Sequence, residues 1–338
     1  MNLDDRKKKI LSSVVEDYIG SAEPVGSKTI VDKYNLEYSS ATIRNEMKLL
    51  EEFGFLKQPH ISSGRIPSTK GYRYYVDNLM KEKKLSMIDI DYINNSITGY
   101  GDTEKLLEQA SSTVSKLLNR PTILTVNTQE VLDSIKILRL TDKILLVILI
   151  SQNGNVKDCV AKLTDTIQDD MVDELTNLLN SNLKGTPIEK IYLALNTVIQ
   201  RELTTFSNIL KDVSNSMYLE FFKDKHNINS NVEAILDLPE FADVEKAKNF
   251  VNILSTKDII DKTLKFSNDS ELGIVIGSEN KEILLRDYSI ISLNISNEDF
   301  VKGNLSVISP KRLDYSKTIS ILKHINLKFK SLFSKENK

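Results

Sequence analysis

The first 53 residues predict three short amphipathic helices joined by tight turns, and this pattern restricts the fold more than any other feature of the chain. Apolar residues recur every three or four positions over residues 5–19, 28–34 and 41–53. Pro24 and Gly26 lie between the first two predicted helices and separate them, because proline disfavours helix in the residue before it and glycine relaxes the backbone. Short helices arranged in this way predict a helix-turn-helix.

The sequence after the third helix changes from a helical to an extended pattern. Residues 55–60 are predicted to be extended, and the two serines and the glycine of residues 62–64 predict a turn. Pro67 cannot lie inside a helix because its ring removes a backbone donor, and a new helix start follows at Ser68. A helix-turn-helix followed by such a hairpin predicts a winged helix.

The rest of the chain alternates between strand and helix patterns. Residues 122–163 have strand patterns, with a hairpin signal at Asn153 and Gly154. Strand patterns return after residue 271, and the sequence between the two regions is mainly helical. A sheet interrupted in this way predicts an α+β fold with a helical insertion. The predicted parts are a winged helix (1–80), a linker (81–102), a discontinuous α+β domain (103–164 and 241–338) and an inserted, mainly helical domain (165–240).

The composition is that of an ordinary folded protein. The 338 residues suffice for two or three domains, and 27% charged with 40% hydrophobic residues argue against disorder or a fibrous repeat. The longest apolar run, residues 144–150, is far shorter than the roughly 20 residues of a membrane-spanning helix. The charged N-terminus lacks the pattern of a secretory signal. We therefore expect a cytoplasmic protein that does not enter a membrane.

Several kinds of chemistry are excluded by residue type and spacing. A single cysteine, Cys159, and three separated histidines provide neither a disulfide nor a spaced zinc motif. The glycines of residues 273–280 lack the spacing of a phosphate-binding loop. No set of nucleophile, base and oxyanion donors can be assembled. We expect no enzyme activity, no metal and no cofactor.

Helix three carries the best candidates for reading DNA. The net charge is −2, and residues 1–75 carry 12 Lys and Arg against 10 Asp and Glu. A prediction of DNA binding therefore depends on where the basic residues lie and not on how many there are. If Ile43 faces the core, the opposite side of the helix presents residue types that bind base edges. The predicted base-reading residues are Ser40, Thr42, Arg44, Asn45 and Lys48. The alternative is an ordinary solvated helix face.

The hairpin and the start of helix two carry candidates for backbone contacts. Basic and small polar side chains alternate there, as in loops that lie along a sugar-phosphate backbone. The predicted backbone contacts are Ser27, Lys28, Gln58, His60, Ser63, Arg65, Lys70 and Arg73. In the alternative, an ordinary basic hairpin, Arg65 and Arg73 would be paired with acids such as Glu51 or Glu52.

Three segments resemble the HrcA family of bacterial heat-inducible transcription repressors. They are residues 25–30 (VGSKTI), 41–47 (ATIRNEM) and 58–73 (QPHISSGRIPSTKGYR). Residues 303–315 are similar to the family's closing strand-to-helix motif, so the resemblance covers essentially the whole chain.

The resemblance implies more than the residues alone. It implies a winged helix, a GAF-like domain and an inserted dimerisation domain. It further implies repression of chaperone operons by a homodimer bound to an inverted-repeat operator called CIRCE, with a chaperonin as modulator and relief on heat stress. Two alternatives remain open: a small-molecule-responsive regulator of another regulon, and a protein-interaction module whose helix-turn-helix is only scaffold.

Overall fold

The computed structural model describes residues 3–34, 37–60, 63–98, 103–128, 131–152, 154–201, 206–221, 228–255, 271–296 and 301–336. The chain divides into two compact units, each containing helices and strands, which confirms the α+β class. The first unit comprises residues 1–124, 229–295 and 304–338; the second comprises residues 125–228 and 296–303.

The three N-terminal helices begin and end close to the predicted residues. They are α1 (Asp5–Ser21), α2 (Ser27–Tyr34) and α3 (Ser40–Glu52). The side chains of Asp4 and Ser39 accept hydrogen bonds from the backbone N–H groups of Lys7 and Thr42, which satisfies donors that a helix leaves free at its start. The buried faces are formed by Ile10, Leu11, Val14, Ile30, Ile43, Met47 and Leu50.

A short hairpin follows α3. Strands β1 (Leu56–Lys57) and β2 (Ile66–Pro67) pair antiparallel. Val25, in the turn between α1 and α2, joins this hairpin through two backbone hydrogen bonds of 2.9 Å to Arg65. A Cβ atom on Gly64 would lie 2.4 Å from the carbonyl oxygen of Val25. Glycine is therefore required for the hairpin to approach the turn this closely.

Helix α4 (Thr69–Tyr74) packs against the same hairpin. The Ser68 side chain caps it by accepting a 3.0 Å hydrogen bond from the Gly71 N–H. A Cβ atom on Gly71 would lie 2.1 Å from the carbonyl oxygen of Phe55. A π-helical turn, Tyr75–Leu79, continues α4. The helix is thus fixed to the hairpin by a close backbone contact.

Residues 80–86 run along the last helix of the chain. This helix is α11 (Tyr315–Glu336), and the hydroxyl of its Ser316 donates to the Lys81 carbonyl and accepts from the Lys83 N–H, both at 2.7 Å. Helix α5 (Met87–Ser96) follows. The segment predicted as a linker therefore contains a helix and is hydrogen-bonded to the C-terminal part of its own unit.

A five-stranded sheet lies at the centre of the remaining part of the first unit. Its strand order is β7-β3-β10-β9-β8. The strands and helices here are α6 (Thr103–Leu118), β3 (Thr122–Thr128), β7 (Ile228–Ser230), α10 (Val244–Ser255), β8 (Leu272–Ile276), β9 (Tyr288–Ser296) and β10 (Val301–Pro310). Aromatic residues Phe241, Phe250 and Tyr288 pack between α10 and the sheet, with ring centroids 4.7–6.2 Å apart. The amphipathic α10 thereby buries its apolar side.

The second unit contains a three-stranded antiparallel sheet and three helices. Its elements are β4 (Leu132–Thr141), β5 (Ile144–Ser151), β6 (Val156–Lys162), α7 (Asp169–Leu183), α8 (Ile191–Arg201) and α9 (Ser207–Phe221). One continuous core joins the inner face of the sheet, including Val147 and Leu149, to the helices, including Leu175 and Leu179. Asn153, half of the predicted hairpin signal, lies outside the described residues; its neighbour Gly154 adopts the positive φ of 82° that such a turn favours.

The boundary of this unit differs from the sequence-based one. The sequence pattern groups strands β4 to β6 with the sheet domain and places the insertion at residues 165–240. In the structure these strands pack on α7 and α9 instead. The cause is periodicity: the buried residues of β5 alternate and require a cover of helices, and the next helices along the chain supply it.

Candidate nucleic-acid interface

The side of α3 opposite its buried face is open to solvent. Ser40, Arg44, Asn45 and Lys48 are exposed, and Thr42 is half-buried. Within the part of the chain that the structure describes, Arg44 and Asn45 have no side-chain hydrogen bond or ion pair. Lys48 is 3.9 Å from Glu52, a distance typical of a weak surface pair. The helix therefore presents side chains that are free to bind an external group.

The N-terminal ends of α2 and α3 meet. The hydroxyl oxygens of Ser27 and Ser40, the first residues of the two helices, are 2.9 Å apart in a hydrogen bond. Lys28 lies beside them on the surface. Helix N-termini carry unpaired N–H groups and a partial positive charge, and both favour anions. The structure thus brings Ser27 and Lys28, predicted from sequence as backbone contacts, next to the predicted base-reading helix.

Three predicted backbone contacts bind one another inside the hairpin. The Gln58 side-chain amide donates to the Ser63 carbonyl at 3.2 Å. The Ser63 hydroxyl donates to the His60 carbonyl at 2.7 Å and accepts from the His60 N–H at 3.0 Å. His60 itself is an exposed residue near the tip. Gln58 and Ser63 therefore shape the hairpin, whereas His60 is available to solvent.

Arg65 and Lys70 connect the hairpin region to α3. The Arg65 guanidinium is 2.8 Å from a carboxylate oxygen of Glu51. The Lys70 ammonium donates to the Phe53 carbonyl at 2.8 Å and lies 4.5 Å from the centre of the Phe55 ring. A cation at the C-terminal end of a helix satisfies free carbonyl groups there. Both side chains thus hold α3 against the hairpin.

Arg73 is engaged by the sheet region of its unit. Its guanidinium lies 2.6 Å from a carboxylate oxygen of Glu279 and 3.2 Å from Asp77, and it donates to the Ile274 carbonyl at 2.8 Å. The Glu279 carboxylate raises the pKa of the Arg73 guanidinium further above its usual value. The pairing of Arg65 and Arg73 with acids is the geometry that the ordinary-hairpin alternative requires. The part of either arginine in DNA binding stays a prediction.

A second connection, between α1 and the end of β10, was missed by sequence reasoning. Arg312 forms a bidentate pair with Glu240, with N···O distances of 2.6 and 3.1 Å, and donates to the Ile19 carbonyl at 2.8 Å. Its side chain is 10% exposed. The nearest sequence signal is an arginine at the close of a strand, which does not identify partners far away along the chain.

Sites for other chemistry are absent from the described part of the chain. Cys159 is buried on β6. Within the ranges described above, no group of three His, Cys, Asp or Glu side chains could hold a metal ion. In the same ranges, no helix is both long and apolar enough to cross a bilayer.

Comparison with known proteins gives consistent matches along the chain. The family model described as the HrcA protein C terminal domain matches residues 104–319. A heat-inducible transcription repressor HrcA from Acetivibrio thermocellus is 35% identical over 337 residues, covering 98% of this chain and 96% of the relative. Its counterpart from Clostridium acetobutylicum is 34% identical and covers 96% of each chain. A crystal structure of a hypothetical protein matches with a TM-score of 0.67 at 21% identity over 99% of both chains, which shows the fold alone.

These relatives are transcription repressors, and the match covers nearly the whole length of each chain. The chain is therefore in that class of protein and outside the enzymes. The chain belongs to the HrcA family of heat-inducible transcription repressors. This confirms the family resemblance drawn from the sequence and the expectation that the protein is not an enzyme.

Proposed function

We propose that this protein is a cytoplasmic, sequence-specific DNA-binding repressor of chaperone operons, acting as a homodimer on a CIRCE-type inverted repeat. The observation that carries the proposal is the exposed side of α3, on which Arg44 and Asn45 have no partner within the described residues. Residues 1–80 act in it as a winged helix, with α3 as the recognition helix. The central sheet and its flanking helices act as the GAF-like domain.

The chemistry of α3 suits the edges of base pairs. An arginine such as Arg44 can bind guanine O6 and N7 with two hydrogen bonds, and an asparagine such as Asn45 can do the same for adenine. Ser40 and Thr42 lie at the N-terminal turn, where backbone N–H groups favour a phosphate, and Lys48 adds a positive charge about two turns further along. Ser27, which is hydrogen-bonded to Ser40, and its neighbour Lys28 would extend the phosphate contact along the DNA backbone.

The hairpin has a divided role in this proposal. His60 and Lys70 are exposed and can approach a phosphate, which contributes affinity rather than specificity. Gln58, Ser63 and Arg65 support the hairpin from within, whereas Arg73 is bound to Glu279 of the sheet region, so the effect of these four residues on DNA binding is mainly indirect.

Dimerisation is supported by the outer face of the three-stranded sheet. Leu138, Leu146 and Val160 lie in one cross-strand row of this face, and Leu138 and Val160 are 51% and 50% exposed. The next row has Lys136 at one edge and Asp158 at the other. A partner related by a two-fold axis parallel to the strands would cover the apolar row with an identical one and bring Lys136 opposite Asp158. A second copy of the chain is therefore the occupant that we assign to this face.

A charge in the apolar row tests the dimer. Val160→Asp is expected to weaken self-association by about 100-fold, because a two-fold interface would bury two unpaired carboxylates at once. Sedimentation equilibrium measures the change. Leu193→Asp is the matched control, since Leu193 is 67% exposed on α8, in the helical layer on the opposite side of the sheet, and should leave the dimer intact. Equal association of the two variants would contradict this assignment.

The operator-binding proposal is tested directly by fluorescence anisotropy. The full chain is titrated onto a duplex carrying the inverted repeat and onto a duplex with one half scrambled, at one stated salt concentration. A preference of roughly 10³ or more for the intact repeat is expected, because only it engages both α3 helices of the dimer. Chaperonin and ATP are then added, and we expect them to raise the fraction of active repressor. Equally weak binding to the two duplexes, both without and with chaperonin and ATP, would overturn the proposal.

Arg44 is expected to carry much of the base discrimination. Arg44→Ala should cost about 1–3 kcal/mol of operator affinity and relax the preference at one base position, because a bidentate contact is lost. The same anisotropy titration measures it. Lys116→Ala is the matched control, because Lys116 is an exposed cation on α6, outside residues 1–80 that form the proposed winged helix. Unchanged discrimination in Arg44→Ala would show that α3 reads DNA through other residues.

A further inference from the structure

A large cleft lies within the first unit, between the hairpin region and the sheet region. Its volume is about 870 Å³, within the range that small-molecule sites occupy. One wall is formed by the hairpin and α4, including Lys57, Ile66 and Thr69. The other wall is formed by α10 and the residues around the start of β9 and the end of β10, including Lys246 and Tyr288. An occupant would therefore contact both the hairpin and the sheet region.

Much of the cleft is apolar. Its lining includes Ile66 of β2 and, from the sheet region, Phe241 and Tyr288. Ile283 and Leu284 add aliphatic surface at its edge and are 74% and 60% exposed, so two neighbouring apolar side chains are left open to solvent. Such a lining favours a ligand with an apolar body.

The charges in the cleft do not balance. Arg312 is paired with Glu240 at 2.6 Å, and Lys311 with Asp287 at 3.2 Å. Lys57 and Lys246 also line the cleft, one on each wall, and neither has a carboxylate partner among the described residues. Two ammonium groups remain to be neutralised, which favours an anionic group on the ligand.

A buried hydroxyl without a partner borders the same cleft. Tyr72 lines it, is 1% exposed, and its hydroxyl has no hydrogen bond to any described residue. Buried hydroxyls are normally paired, since leaving one unpaired costs free energy. Burial raises the pKa of this hydroxyl well above its usual value, so it stays protonated and can donate. Tyr18, Arg312 and Glu240 interact with it electrostatically, and all three line the cleft.

We propose that this cleft binds a small organic anion with an apolar body, the negative group lying between Lys57 and Lys246 and the apolar body against Ile66 and Tyr288. Because the ligand bridges the hairpin and the sheet region, its binding couples to the position of the hairpin and hence to α3. The proposal concerns a ligand site and does not depend on DNA binding.

The dye 8-anilinonaphthalene-1-sulfonate tests this site, since it combines an aromatic body with one negative charge. The full-length protein is titrated with the dye and its fluorescence recorded. Lys246→Glu and, separately, Lys57→Glu are each expected to weaken saturable dye binding by about tenfold, because each places a carboxylate beside the sulfonate. Dye bound to apolar surface elsewhere is common to all variants and does not alter the comparison.

Matched variants and a matched dye separate the site from general effects. Lys248→Glu introduces the same charge on an exposed residue of α10 that does not line the cleft, and should change dye affinity less than about twofold. The uncharged dye Nile red should bind both α10 variants alike, which also shows that they are folded. If Lys246→Glu and Lys248→Glu bind the anionic dye equally, or if Lys57→Glu has no effect, the proposed site is wrong.

Discussion

Replacing Gly71 with alanine is expected to lower the free energy of unfolding by about 3 kcal/mol. The added Cβ would lie 2.1 Å from the Phe55 carbonyl oxygen, which is backbone and cannot rotate away. That oxygen already accepts a 3.0 Å hydrogen bond from the Ser68 N–H. To fit the methyl group, α4 must move off the hairpin and strain this bond.

Urea unfolding followed by circular dichroism measures the loss, and faster amide exchange at Ser68 locates it. Gly20→Ala is the matched control. Gly20 lies in α1, and a Cβ atom there would have no heavy atom beyond its own helix within 4 Å, so alanine should stabilise the helix by about 0.5–1 kcal/mol. We expect the free energy of unfolding to fall in Gly71→Ala and to rise in Gly20→Ala. Equal effects would mean that the close approach of α4 to the hairpin does not exist in solution.

Replacing Arg312 with methionine is expected to cost about 2–3 kcal/mol of unfolding free energy. The substitution keeps the aliphatic volume but removes three hydrogen bonds, two to Glu240 and one to the Ile19 carbonyl. Glu240 is 28% exposed and would be left without its cation. Lys311→Met is the control, because the partner of Lys311, Asp287, is 89% exposed and such a pair contributes less than about 0.5 kcal/mol.

The cost of Arg312→Met should depend on pH. Burial by itself raises the pKa of Glu240, but the hydrogen bonds and charge of Arg312 outweigh burial and hold it below its usual value. The stabilisation is therefore present above the unfolded-state pKa and is lost as the pH falls through the lower folded-state pKa. The difference in unfolding free energy between the unaltered protein and Arg312→Met should shrink as the pH falls from about 5 to about 3. A difference that stays constant would assign the cost to packing alone.

Local patterns in the sequence predicted the N-terminal helices well because their determinants are local. The cap at Ser39 and the apolar spacing of Ile43, Met47 and Leu50 act within one helix, and the structure has both. The exposed side of α3 follows from the same periodicity, so Arg44 and Asn45 could be assigned to it without coordinates.

What the sequence did not predict depends on contacts between distant residues. The Arg73 and Glu279 pair joins residues 206 positions apart, and no spacing rule connects them. From sequence alone, an arginine in a basic loop is predicted to contact phosphate, because its carboxylate partner far along the chain cannot be identified. The grouping of β4 to β6 with α7 and α9 depends on such contacts too, since these strands have the same sequence pattern whichever helices cover them.

The bond between Arg312 and the Ile19 carbonyl sets an order of events during synthesis. Its two ends are 293 positions apart, so at the usual 5–20 residues per second the ribosome needs roughly 15–60 s to supply the second end after the first. For that time the N-terminal helices can pack only on one another and on the hairpin, and the Ile19 carbonyl has water in place of Arg312. A chain cut short before residue 312 would therefore lack the contact that ties α1 to the end of β10, however well its N-terminal helices had formed.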